Sequence, residues 1–346
     1  MVYSVLGEAA VLAIYALLAA GQVISVRATA RLPTGLGYDP AAAVAMSELV
    51  KFSIAVGWTV AADRGCFQWP LPRAWAQQVA YLVLVSIVYT LANQLTFPAV
   101  SRLGATLYGL LANLKIVFTS IFLRLLLGRR FAPLQWLAIF LLTFSGMVLV
   151  LSPVSLTGVA AGRWALPDVL GLACSLGSAA CAGYASVLNE RVLQAGDSME
   201  SKGVPEMPFM AKNAVMYAVG VLQSLATWRV VGTLPLSACL NGPGLASVGT
   251  LAALGLTCAV VLRYLGNVAR CFCIVLSAFL TAIWSEAVFH EGVNSFNLLV
   301  ALLLFAASIV LYQAHNNPNL YRMIAAALAG ACVTYGLCRD LASRSL

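Results

Sequence analysis

The sequence predicts an all-α polytopic membrane protein, with ten transmembrane helices built as two inverted five-helix repeats. Three observations predict it. The 346 residues are 62% hydrophobic and only 9% charged, against about 25% charged in a soluble domain. Apolar stretches of roughly 20 residues, the length that crosses a bilayer, recur along the whole chain. The first half can also be laid over the second with an offset of 162 residues.

The apolar stretches fall at 9–30, 41–62, 77–98, 103–127, 133–152, 167–190, 209–231, 243–265, 269–290 and 295–315. The first begins near Ala9 behind "MVYSVLGE". It has no basic leader and is too long for a signal-peptide core, so it reads as an uncleaved first span with nothing N-terminal to remove. An eleventh stretch, "MIAAALAGACVTYGLC" (323–338), is short enough to cross, to lie at the interface or to close the bundle. Its plainest reading is an apolar C-terminal tail.

Under the overlay, Leu127-Gly128 falls on Phe289-His290 and the turn at Pro133 falls on Ser295. "QWLAIFLLTFSGMVLV" (135–150) then falls on "NLLVALLLFAASIVLY" (297–312). Five spans are an odd number, so the two halves take opposite orientations in the bilayer. This gives a first repeat over 1–160, a second over 161–316 and a tail over 317–346. Secondary transporters are built this way, with a substrate site near the midplane between the halves. The longest hydrophilic connection, "NERVLQAGDSMESKGVPEMP" (189–208), carries four acids and two bases and reads as a solvated linker.

A net charge of +8 would suit nucleic acid in a soluble protein, but in a chain of spans the distribution of Lys and Arg matters more than their sum. With loops alternating sides, thirteen fall with the two termini and five on the other side, Lys51 and Lys115 being set aside as intramembrane. Both termini are therefore expected in the cytoplasm, and no nucleic-acid partner is expected. A crossing tail would weaken the bias to eleven against seven. Cysteines scattered through the spans (Cys174, Cys181, Cys258, Cys271, Cys273, Cys332) form no CxxC pair and read as small packing residues. His290 and His315 stand at span ends with no ligand constellation, so no metal is expected. With no catalytic triad, P-loop or ATP-binding domain in view, neither an enzyme, a pump nor a cofactor is expected.

Charges inside a membrane cost about 2.5–3.5 kcal/mol each on insertion scales, so they face a cavity or a partner. Lys115 is the most central, in "ATLYGLLANLKIVFTSIFLRLLL". At about 100° per residue, Tyr108, Ala112, Lys115 and Thr119 share one stripe, and Asn113 points elsewhere. A phenol, a cation and a hydroxyl beside a small residue suit a phosphorylated ligand. The competing reading pairs Lys115 with an intramembrane acid, Glu48 or Glu286. Glu48 already has Lys51 three residues on in "SELVK". That pair is read as a structural ion pair, with cavity lining as the alternative. Further polar groups are Arg263 and Arg270 in "RYLGNVAR", where Gly266 and Asn267 can break the helix. Asn213 and Tyr217 lie one turn apart in "KNAVMY", and Asn93 and Gln94 stand in "YTLANQLTF". For each, helix bridging or a positive loop is the plainer alternative.

Taken together, these residues resemble a known family. The segment "YTLANQLTFPAVSRLGATLYGLLANLKIVFTSIFLRLLLGRRFAPLQWLAIFLLTFSGMVLVL" (89–151) is similar to nucleotide-sugar transporters, in the group holding the CMP-sialic acid, UDP-galactose and UDP-N-acetylglucosamine transporters. The likeness continues through "SELVK", "GYASVLNERVL", "NAVMY" and "GLTCAVVLRYLGNVARCF". The resemblance implies ten helices in the drug/metabolite transporter fold, residence in the Golgi membrane or, second, the endoplasmic reticulum, and exchange of a cytosolic nucleotide sugar for lumenal nucleoside monophosphate. By motif, Lys115 matches the family's phosphate-binding lysine, and Arg263 stands where a second lysine is usual. Tyr108, Asn213 and Tyr217 match nucleotide contacts, Asn93 matches an Asn lining the same cavity, and Arg270 aligns with a family basic residue. The sequence departs from the pattern at Arg263, at Gly266, where Asp is usual, and at Asn113, near a usual Gln.

The expected mechanism is alternating-access antiport, with Lys115 and Arg263, from opposite halves, closing around the diphosphate. A UDP-sugar is favoured, with CMP-sialic acid or a small metabolite carried on the same fold as alternatives. A lipid transferase or a non-transporting scaffold would be different classes altogether. Expected partners are the nucleotide sugar, the nucleoside monophosphate and the lipid bilayer. The sequence leaves open whether the chain forms a homo-oligomer.

Overall fold

A computed structural model describes residues 2–30, 37–62, 75–150, 166–194, 207–289 and 294–313. The apolar tail stretch 323–338, most of the connection 195–206, His290, His315 and Cys332 lie outside the described residues.

Hydrocarbon offers no partner to a backbone N–H or C=O, so each apolar run satisfies its own as a helix. In chain order these are α1 (Val2–Ala30), α2 (Pro40–Ala62), α3 (Ala76–Ala112), α4 (Lys115–Leu126), α5 (Pro133–Val150), α6 (Leu166–Gln194), α7 (Phe209–Val231), α8 (Gly242–Tyr264), α9 (Gly266–Phe289) and α10 (Ser295–Gln313). A short 3-10 turn, Leu236–Leu240, precedes α8. Among the described residues, ten segments are long and apolar enough to cross a membrane. The seventh, Phe209–Val231, has the bounds expected from sequence, and the others differ by a few residues.

Two corners interrupt this regularity. Gly104 (φ 77°, ψ 162°) separates the third span from the fourth within α3, and Gly266 (φ 80°) opens α9. Both conformations favour glycine, since a Cβ is strained at positive φ. The two stand 162 residues apart, the offset used to lay the first half of the sequence over the second. The glycine at 266, where the resembled family has Asp, thus sits at a corner that suits it.

The fourth span differs from its expected form. Lys115 is not at the centre of a continuous helix but is the first residue of α4, behind a break at Asn113 and Leu114. There the N–H groups turn to carbonyls three residues back, Asn113 N to Leu110 O at 3.3 Å and Leu114 N to Leu111 O at 3.0 Å. This tightens the chain in 3-10 fashion. The Asn113 side chain substitutes for the displaced α-type bond, its Nδ2 donating to Gly109 O at 2.9 Å.

Contacts divide the chain into two compact units. Of the described residues, the first holds 2–17, 91–150, 166–187, 271–289 and 294–313. In it α5 packs on α10 and on α4. Ser145 Oγ donates to Ala301 O at 2.8 Å, and Phe305 takes Phe279 and Phe272 at ring distances of 5.5 and 6.2 Å. The second unit holds, of the described residues, 18–30, 37–62, 75–90, 188–194 and 207–270. In it α2 packs on α7 and α8, through small residues such as Ala55 and Ala214, which let helix backbones approach.

One end of the second unit is tied by Asp39. Its Oδ1 caps α2, accepting from Ala41 N at 2.8 Å and Ala42 N at 3.3 Å. Its Oδ2 accepts from Thr233 N, from Thr233 Oγ1 at 3.1 Å and from Leu234 N at 3.4 Å. Burial alone would raise this carboxyl, but the hydrogen bonds outweigh it and hold Asp39 below the ordinary carboxylate value. A lowered folded-state pKa contributes stability above the unfolded value, near 3.9, which is lost as pH falls through the folded value. Asp39→Ala should therefore cost about 1–2 kcal/mol at neutral pH. The gap to the native chain should close below about pH 4, as read by thermal unfolding in detergent.

Candidate functional site

In the second unit the polar residues gather on one face of α7. Phe209, Asn213, Tyr217 and Gly220 follow at spacings of four, four and three, which keeps them on a single stripe. Phe209 lies under Arg263, whose guanidinium carbon is 4.8 Å from the ring centre. Tyr217 lies under Lys51, whose ammonium is 4.9 Å from its ring centre. Eight residues of helix separate the two rings, about 12 Å at 1.5 Å per residue. Both cations thus rest on aromatic faces, an arrangement that stabilises charge away from water.

Between them, Asn213 is 1% exposed. Its Nδ2 donates to Phe209 O at 2.9 Å, while its Oδ1 is buried with no hydrogen-bond partner among the described residues. An orphaned buried acceptor costs about 1–3 kcal/mol. The same holds for Arg263 Nη1, a buried donor that is likewise unpartnered. These two atoms are an acceptor and a donor for which a ligand could supply partners.

Lys51 also donates to Glu48 Oε1 at 2.6 Å. Two glycines make room for this pair. A Cβ on Gly220 would lie 2.8 Å from Glu48 Oε2, and one on Gly255 of α8 would lie 2.7 Å from Lys51 Cδ. Tyr217 is 4% exposed, and its hydroxyl reaches Gly255 O at 3.5 Å. Much of the phenol is therefore spent on holding Lys51.

The first unit carries a second polar group. Tyr108 shares a hydrogen bond with Thr96 Oγ1 at 3.0 Å, and Thr96 shares one with Ser178 Oγ at 3.1 Å. Ser178 Oγ donates to Ala92 O at 2.8 Å. This hydroxyl chain fixes the phenol from both α3 and α6. Lys115, half-buried, begins α4, and the Asn113 amide that shapes the break packs on Gly146 of α5. A Cβ there would lie 2.4 Å from Asn113 Oδ1. Gly146→Ala should push the amide off Gly109 O and cost about 1–2 kcal/mol, less the gain in helix propensity. Thermal unfolding would read this as a lower midpoint, and transport as a reduced rate.

The family model for nucleotide-sugar transporters matches residues 8–313. The chain belongs to the nucleotide-sugar transporter family. It is accordingly a transporter rather than an enzyme. Among its relatives, UDP-galactose translocator 1 of Caenorhabditis elegans is 27% identical over 69% of this chain and 67% of its own. The UDP-N-acetylglucosamine/UDP-N-acetylgalactosamine transporter nstp-4 of the same organism is 27% identical over 74% of this chain and 75% of its own. The probable UDP-sugar transporter protein SLC35A4 of Rattus norvegicus is 25% identical over 80% and 85%. A solved crystal structure superposes with a TM-score of 0.61 at 17% identity, covering 89% of this chain and 96% of that one, a likeness of fold.

In this nucleotide-sugar transporter, the residues singled out from sequence fall in two sets. Glu48, Lys51, Asn213, Tyr217 and Arg263 share the second unit along the α7 stripe, and Arg270, half-buried, stands at the start of α9 in that unit. Tyr108, Lys115 and Asn93 belong to the first unit, where Asn93 is exposed on α3. Among the described residues, no group of three or more His, Cys, Asp and Glu could hold a metal ion.

The connection 189–208 was expected as solvated linker, but α6 continues to Gln194 and Glu190 is 0% exposed. One oxygen of its carboxylate, Oε2, is held by Asn267 at the head of α9. Sequence reasoning also missed Phe209, Thr96 and Ser178. The first had a signal, since it lies one turn before Asn213 on the same stripe. The two hydroxyls, lone small residues in apolar runs, had none.

Proposed function

We propose that this transporter carries a UDP-sugar, UDP-galactose or a UDP-N-acetylhexosamine, into the lumen of the Golgi in exchange for UMP. Support for the uridine nucleotide comes from the relatives, whose names specify UDP-sugars. The observation that carries the site is the α7 stripe, with two aromatic-stacked cations flanking an unpartnered amide oxygen. In this reading Arg263 and Lys115 each supply a cation to phosphate recognition, the arginine through its two-pronged donor face. Asn213 meets a donor of the nucleoside, and Tyr108, held by Thr96, orders it further. Asn93 and Arg270 enter this reading by resemblance alone. Because sugar nucleotide and monophosphate share their nucleotide part, one set of residues serves both, as alternating access by two inverted repeats requires. The bias of Lys and Arg supports a cytoplasmic side for both termini.

A ligand that binds the folded state raises its apparent stability. Purified protein should be stabilised by UMP and by UDP-galactose or UDP-N-acetylglucosamine more than by CMP, GMP or their sugars. Stabilisation by CMP-sialic acid alone would replace the uridine assignment.

A further inference from the structure

Glu190 is a charged residue in a membrane protein with no solvent exposure and no role in the proposal above. Its Oε2 accepts from the main-chain N of Asn267 at 3.0 Å and from Asn267 Nδ2 at 2.7 Å. Asn267 follows Gly266, the positive-φ corner between α8 and α9. The first N–H groups of a helix have no partner within it, and here a carboxylate from α6 satisfies one of them. One turn further along α6, Gln194 Nε2 donates to Leu262 O at 2.8 Å, on the other side of the same corner. Between these two anchor points stands Arg263.

We propose that Glu190, assisted by Gln194, is a positioning residue for Arg263: by clamping the α8–α9 corner at Asn267 and Leu262, it fixes where the guanidinium stands. Several features agree. Arg263 stacks on Phe209, and its Nη1 has no hydrogen-bond partner among the described residues, so ring contact alone leaves its direction under-determined. A ligand-reading guanidinium is useful only when its donors are held to a fraction of an ångström, and the backbone on either side of it is what the α6 residues hold. A carboxylate suits the task because a charge-assisted bond to N–H is stronger than a neutral one. The corner glycine frees the backbone to turn, and Glu190 removes that freedom again.

The proposal rests on Arg263 reading the nucleotide, and a double-mutant cycle separates the two claims. UMP affinity is measured by titrated thermal shift on purified native protein, Glu190→Ala, Arg263→Ala and the double variant. Glu190→Ala should weaken UMP binding about tenfold, as expected when a charge-assisted contact is misplaced rather than removed. It should have no further effect in the Arg263→Ala background, the signature of residues acting through one another. Glu190→Gln, which keeps an acceptor oxygen for Asn267, should restore most of the affinity. Asn267→Ala, which leaves the main-chain bond in place, carries the same cycle with a smaller loss should Glu190→Ala not fold. Additive losses, or a Glu190→Gln variant as weak as Glu190→Ala, would overturn the positioning role and leave the Arg263 assignment standing. Unchanged UMP affinity in Arg263→Ala would overturn that assignment, and the positioning role with it.

Discussion

Replacing Lys115 with alanine is expected to weaken uptake of UDP-galactose into proteoliposomes loaded with UMP by roughly 10- to 150-fold, while the protein still inserts. The two halves of that expectation have separate origins. A lysine in a membrane span costs about 2.5–3.5 kcal/mol on insertion and alanine is a good helix former, so the span still inserts. A charge-assisted bond to a phosphate oxygen contributes about 1.5–3 kcal/mol, so its loss weakens binding by roughly 10- to 150-fold. Lys115→Arg keeps the charge and changes its geometry, and should retain part of the activity. Lys115→Ala transport at the native rate would remove the phosphate role from this residue.

The second large effect concerns Lys51. Its ammonium lies 2.6 Å from Glu48 Oε1, and its side chain is confined by Gly255 and the Tyr217 ring. Lys51→Ala leaves the partly buried Glu48 carboxylate without its partner and should cost up to about 3–5 kcal/mol, the upper figure being that of a fully buried unpaired charge. Replacing both partners, as Glu48→Gln with Lys51→Met, should recover most of that stability because no charge is left uncompensated. The double variant also divides the two readings of the pair. Stable and active protein would make the pair structural, and stable but inactive protein would make Lys51 a ligand contact. Thermal unfolding with parallel uptake measures both. A single Lys51→Ala variant as stable as the native chain would contradict the account of the pair.

The spans were legible because the bilayer imposes one simple requirement, about 20 apolar residues with every backbone group satisfied internally. The Glu48–Lys51 contact was legible too, since a spacing of three places both on one helix face. What the sequence hid were features set by tertiary contact. No Gly or Pro marks the break at Asn113–Leu114, which is completed by the Asn113 amide and by room at Gly146. Glu190 looked solvated because hydropathy ends the apolar run there, whereas the helix continues and its carboxylate finds Asn267. Tyr217 was identified by motif, but that Lys51 rests on its ring depends on how α2 meets α7. Gly266, a departure from the family pattern, acquired a reason only with its backbone angle.

The proposed activity is exchange of a uridine-diphosphate sugar for UMP. The most direct test is counterflow with purified protein in liposomes, following labelled UDP-galactose and UDP-N-acetylglucosamine against internal UMP, CMP or buffer. Saturable uptake that needs internal UMP, and is competed by external UMP more than by CMP, is the result predicted. Uptake indifferent to internal nucleotide, or specific for CMP-sialic acid, would contradict it.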